Sequence, residues 1–123
     1  MSQSSKLKYD FGSLNANTIT IDKANITQAT SNTTAVTITT QAGIITTQSM
    51  TTPSNSALQF TVNHPDVTAN SVVLANIMNY AGTTGLPNLY IDNPTTGSFV
   101  STIQNHHTSG SLNGAIKIAY FIL

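Results

Sequence analysis

The run Ala115-Ile116-Lys117-Ile118-Ala119-Tyr120-Phe121-Ile122-Leu123 is almost unbroken apolar chain and ends at the last residue. A run of this kind suits a strand in the middle of a sandwich core. A strand so placed needs hydrogen-bonded partners along both edges and a second layer facing it, so the rest of the chain has to provide them. Its sequence neighbour is a second strand-like stretch, residues 99–105, joined to it by the polar loop 106–114.

Upstream, short apolar/polar alternations are separated by turn residues. Thr18-Ile19-Thr20-Ile21 predicts a strand, and Asp22-Lys23-Ala24-Asn25 a turn. Ala35-Val36-Thr37-Ile38-Thr39 alternates again, and Gln41-Ala42-Gly43 is expected to turn it into Ile44-Ile45-Thr46-Thr47 as a hairpin. Leu58, Phe60 and Val62 share one face of the next strand. Asn63-His64-Pro65-Asp66 reads as a turn, with a short helical turn near residues 66–70. Residues 71–78 predict a second central strand, Leu89-Ile91 a short one, and Asp92-Asn93-Pro94-Thr95-Thr96-Gly97 a turn. About eight strands with turn signals every ~8–12 residues predict an all-β fold. The expected architecture is an antiparallel sandwich, a jelly roll or related Greek-key, formed by residues 18–123 as one domain. Thr, at roughly one residue in six, favours strands, and no stretch has a helical period.

Residues 1–17 read as an N-terminal arm. Leu7, Tyr9 and Phe11 alternate with Lys6, Lys8 and Asp10 before Gly12-Ser13 breaks the pattern. Large apolar residues in an arm need a surface to lie on. They either close over the core of their own subunit or cross onto a neighbour, and Lys6, Leu7, Lys8, Tyr9 and Phe11 are the candidate contact residues.

Four Lys oppose four Asp, with no Arg, no Glu and no Cys. Near-zero net charge argues against a nucleic-acid partner, because phosphate binding requires clustered cations. No run approaches the ~18 apolar residues of a membrane span, and no apolar stretch follows residues 1–6, so neither a membrane partner nor a leader is expected. Low charge weakens protection of sheet edges against association, which suits a place in an ordered assembly.

Chemistry-bearing residues are sparse. His106 and His107 are adjacent and point to opposite faces of an extended chain, and His64 sits in another loop with Asp66, so a shared metal is not expected. Asp66 and Asp92 lie in separate turns and would have to approach within ~5–10 Å to act as a glycosidase pair. No Gly-x-Ser-x-Gly elbow, phosphate loop or Asp-rich calcium loop occurs. Asn25-Ile26-Thr27 and Asn32-Thr33-Thr34 match the glycosylation pattern, which has meaning only in a secreted chain. No catalytic residue, cofactor or metal ligand is assigned.

The runs Ile26-Thr27-Gln28-Ala29-Thr30-Ser31-Asn32-Thr33-Thr34-Ala35-Val36, Gly43-Ile44-Ile45-Thr46-Thr47, Phe60-Thr61-Val62, Gly97-Ser98-Phe99 and Leu112-Asn113-Gly114-Ala115-Ile116 resemble, in the same order, small virion proteins of tailed phages and other large DNA viruses. The resemblance covers residues 25–123 and leaves the arm outside. It implies a β-sandwich capsid decoration or cement protein, a homotrimer on the outer capsid surface with the major capsid protein as partner, made in the host cytoplasm. No catalytic residue is carried over by it. Two other readings remain: a receptor-binding or fibre-tip module that recognises host glycans through Asn/Thr-rich loops, and a small hydrolase built from Asp66, Asp92 and a histidine.

Overall fold

A computed structural model describes residues 17–123. Among these residues eight strands form two four-stranded sheets packed face to face. They are β1 (Lys23–Thr27), β2 (Val36–Thr37), β3 (Ala42–Thr46), β4 (Ala57–Asn63), β5 (Val73–Tyr80), β6 (Pro87–Ile91), β7 (Ser98–Asn105) and β8 (Ile116–Ile122). One sheet, here sheet A, has the order β1-β3-β8-β5, and the other, sheet B, the order β2-β4-β7-β6. Most connections cross from one sheet to the other; only β6 and β7 follow each other as neighbours, and β8 returns to lie beside β5 in Greek-key fashion.

The all-β sandwich expected from the strand spacing is the observed fold, with one correction: it is not purely antiparallel. β1 pairs parallel with β3, and β2 pairs parallel with β4. The arm, with Lys6, Leu7, Lys8, Tyr9 and Phe11, lies outside the described residues.

β8 is central, flanked by β3 and β5, as its apolar run demands. Its inward side chains Ile116, Ile118, Tyr120 and Ile122 are all buried, and each buried Ile contributes roughly 1.5–3 kcal/mol. Across the core they meet the inward residues of sheet B, Phe60 and Val62 from β4 and Phe99 and Ile103 from β7, while Met50, Val67 and Leu112 fill in from loops. β7 and β8, adjacent in sequence, thus belong to opposite sheets. The Tyr120 hydroxyl lies 3.0 Å from Thr40 Oγ1; burial pushes its phenol above the ordinary value, and the Thr40 bond pulls partly back.

Several local expectations fail for reasons visible in the pairing. The strand expected at residues 18–21 is absent and Ile19 is exposed; the sheet begins instead at Lys23, within the predicted turn, because Ala24 and Ile26 alternate inward on β1. No hairpin joins residues 35–39 to 44–47, since β2 and β3 lie in different sheets. The predicted turn at Gln41-Ala42-Gly43 is mostly strand. Gly43 is required there by space: a Cβ would overlap the Ala24 carbonyl and lie 2.7 Å from the Tyr120 hydroxyl. Residues 66–70 form turns, not helix, and β5 is an edge strand rather than a central one. Gly97, by contrast, closes the β6–β7 turn as predicted, with a φ of 85° that only glycine adopts easily.

The loops at one end are tied by Asn105, the most buried polar side chain. Its Oδ1 accepts from the Leu86 and His107 amides at 3.0 Å each. Its Nδ2 donates to the carbonyls of Thr52 at 3.1 Å and Gly110 at 2.8 Å. Every hydrogen-bonding position of the amide group that these atoms offer in plane is used, so this residue fixes three loops at once.

Candidate functional site

The two sheets present outer faces of opposite character. On sheet B the outward positions of β4, β6 and β7 include Gln59, Thr61, Asn88, Thr102 and Gln104. Gln59 Nε2 donates to Thr102 Oγ1 at 3.0 Å and approaches Asp92 Oδ2 at 3.5 Å, so this surface is polar and partly self-satisfied.

The outer face of sheet A carries exposed apolar side chains at one end. The register sets its rows. Leu74 of β5 stands opposite Phe121 of β8, which stands opposite Ala42 of β3, and Lys23 of β1 ends the row. One step down, the backbones of Val72 and Leu123 exchange hydrogen bonds at 3.0 and 2.9 Å, extending the sheet past its last formal pair. One step up, Asn76, Ala119, Ile44 and Asn25 align, and above them Lys117, Thr46 and Thr27 make the row polar. Val72 is 52%, Leu74 53% and Leu123 60% exposed. Met78, 53% exposed, stands at the irregularity between Ile77 and Asn79. A shallow depression lies between β5 and β8, with Leu74, Asn76, Ala119 and Phe121 on its rim. Lone exposed apolar residues are ordinary, but Val72, Leu74 and Leu123, neighbours on one sheet face, make a candidate contact surface.

The titratable side chains are placed otherwise. His64 is buried, its Nδ1 accepting the Asp66 amide at 3.1 Å and its Nε2 donating to the Thr40 carbonyl at 3.0 Å. Both ring nitrogens are engaged, which fixes the neutral tautomer and leaves none for a metal or a base role. His107 Nδ1 accepts the amides of Ser109 and Gly110 at 3.1 and 2.7 Å and so shapes its own loop. His106 Nε2 lies 2.9 Å from the Tyr90 hydroxyl on the sheet B side. Among the described residues no group of three or more His, Asp or Glu side chains is arranged to hold a metal ion.

The apolar face was not among the sequence-derived sites, although its signal is present. Residues 71–78 and 115–123 are apolar at both parities, and two such strands side by side leave an apolar outer surface unless a further layer covers them. No family model, curated protein or solved structure matches this chain.

Proposed function

We propose that the chain is a structural virion protein, a capsid decoration or cement subunit. It binds the outer capsid surface as a homotrimer and reinforces contacts between major capsid subunits. The observation that carries this reading is the apolar outer face of sheet A, in a chain with almost no charge to desolvate. Completing the burial of a half-exposed Leu, Val or Met yields roughly 1 kcal/mol, so Val72, Leu74, Met78 and Leu123 together offer about 4 kcal/mol before the cost of association. A neutral contact of this sort avoids the penalty of burying ions. The runs that resemble cement proteins support the same reading, and trimer formation would cover the open edges of β1 and β5. The arm residues Lys6, Leu7, Lys8, Tyr9 and Phe11 supply a second, anchoring contact to the capsid or to a neighbouring subunit.

Co-sedimentation with purified capsid shells tests the reading. Saturable binding is expected, reduced at least about tenfold by Leu74→Asp, which sets a charge in the middle of the face. Binding unaffected by Leu74→Asp contradicts the role of this face, and undiminished occupancy after deletion of residues 1–14 refutes the anchoring role of the arm.

One observation favours glycan recognition as a second reading. Tyr90 is 49% exposed on the sheet B side, held edge-on to His106, with Gln59 and Asp92 on the same face. Clear hits on a glycan array that disappear with Tyr90→Ala would favour it.

A further inference from the structure

Asn113 is the one asparagine of the chain that is followed by glycine. Such a pair carries a reaction of its own. The Gly114 nitrogen attacks Asn113 Cγ, a succinimide ring closes, and the Cγ–Nδ2 bond breaks with loss of ammonia. The Gly114 amide proton passes to solvent base, and the departing nitrogen takes its proton from water. Water then opens the ring at either carbonyl, so one asparagine and one water yield ammonia and either aspartate or isoaspartate. Glycine favours the attack because no Cβ shields its nitrogen. Asn113 is exposed, so water is at hand.

What the fold withholds is freedom to align the reacting atoms. Closing the ring requires the Asn113 side chain and the peptide after it to rotate toward each other, and both are held. Asn113 Oδ1 accepts the amides of Thr83 and Thr84 at 2.8 and 3.2 Å, and its Nδ2 donates to Thr83 Oγ1 at 2.9 Å. The Asn113 amide donates to the Tyr80 hydroxyl at 2.8 Å, and that hydroxyl donates to the Thr84 carbonyl. Gly114 is buried, with its carbonyl accepting the Met50 amide at 3.0 Å. It lies so close to Gly82 that a Cβ would stand 2.3 Å from the Gly82 nitrogen. On either side, the Leu112 amide donates to Thr52 and the Ala115 carbonyl accepts from Ala81, both at 2.9 Å.

We propose that Asn113 is a latent deamidation site, kept intact by a clamp of Tyr80, Thr83 and Thr84 and converted when the loop 82–85 opens. The isoaspartate product adds one backbone carbon between Leu112 and Gly114. Leu112, Asn113, Gly114 and Ala115 are each tied to another segment, so the longer backbone does not fit and conversion loosens this loop end irreversibly.

Ageing the full chain at mildly alkaline pH, folded and in guanidinium chloride, tests the proposal, with conversion at residue 113 followed by peptide mapping. Conversion at least about tenfold slower in the folded protein is expected. Tyr80→Phe should speed it at least about threefold in the folded protein and leave the rate in denaturant unchanged; Thr83→Ala, at an exposed position, should do the same if Tyr80→Phe does not fold. Hydrogen exchange at the Thr83 and Thr84 amides should rise by a similar factor while the Ile118 amide of β8 is unaffected, which separates opening of the clamp from global unfolding. Protein carrying isoaspartate should unfold at lower denaturant than Asn113→Asp, which keeps the chain length. Equal conversion rates folded and unfolded overturn the proposal, as do conversion absent from the unfolded chain and clamp variants that leave the folded rate unchanged.

Discussion

Replacing Asn105 by Ala removes four hydrogen bonds from a site that water does not reach. The Leu86 and His107 amides and the Thr52 and Gly110 carbonyls lose the partner that joins their loops. Each net hydrogen bond is worth ~0.5–1.5 kcal/mol, and a buried group left unpaired costs ~1–3 kcal/mol. Because the loops relax partly and let water reach some of the freed groups, the sum falls to about 4 kcal/mol, a large share of a typical domain stability of ~5–15 kcal/mol. Urea unfolding followed by tyrosine fluorescence measures it: the midpoint should drop with the slope unchanged. Asn105→Asp separates hydrogen bonding from volume. It retains the acceptor for Leu86 and His107 but sets a carboxylate against two carbonyls, so its cost should shrink as pH falls and the acid becomes a donor. A loss below about 1 kcal/mol for Asn105→Ala, or an Asn105→Asp cost independent of pH, would refute the view that this amide holds the loop end together.

Three further outcomes follow from the same structure. Gly114→Ala drives a Cβ into the backbone of Gly82, which flexible side chains cannot relieve, so thermal unfolding should show a loss of at least about 2 kcal/mol. Tyr120 holds its proton more tightly folded than unfolded; its contribution is complete below pH 10, its unfolded value, and is lost as pH rises beyond that through the raised folded value, so Tyr120→Phe should flatten the alkaline limb of a stability–pH curve. Ser101→Ala removes a buried hydroxyl that has no partner among the described residues, and a change between zero and about 1 kcal/mol of added stability in urea is expected.

The parts of the fold legible in the sequence are those where one face meets the core and the other meets solvent. Leu58, Phe60 and Val62 on β4, and Phe99 and Ile103 on β7, alternate because sheet B has a polar exterior, and both strands fall where the pattern sets them. The N-terminal strands differ from their expected places because their signals are not local. Lys23-Ala24-Asn25 has turn-like composition, yet it pairs in parallel with a strand some twenty residues later, and no hairpin residue announces such a partner. Gly43 carries the ambiguity of glycine itself: its sequence context predicts a turn, whereas in the fold it lets β1 and Tyr120 approach. The apolar exterior of sheet A is not legible in the same way: residues 71–78 predict a central strand, since a continuous apolar run does not distinguish a central strand from an edge strand with an apolar exterior.

The central claim is that the exterior of sheet A is a contact surface for another protein. Under the proposed capsid role, a cryo-EM map of capsid shells incubated with this chain tests it most directly. The account predicts Leu74, Phe121 and Leu123 within about 4 Å of side chains of the major capsid protein, with Gln59 and Thr102 turned to solvent. A map with that apolar face bare toward solvent, or with the polar face of sheet B seated on the shell, would contradict it.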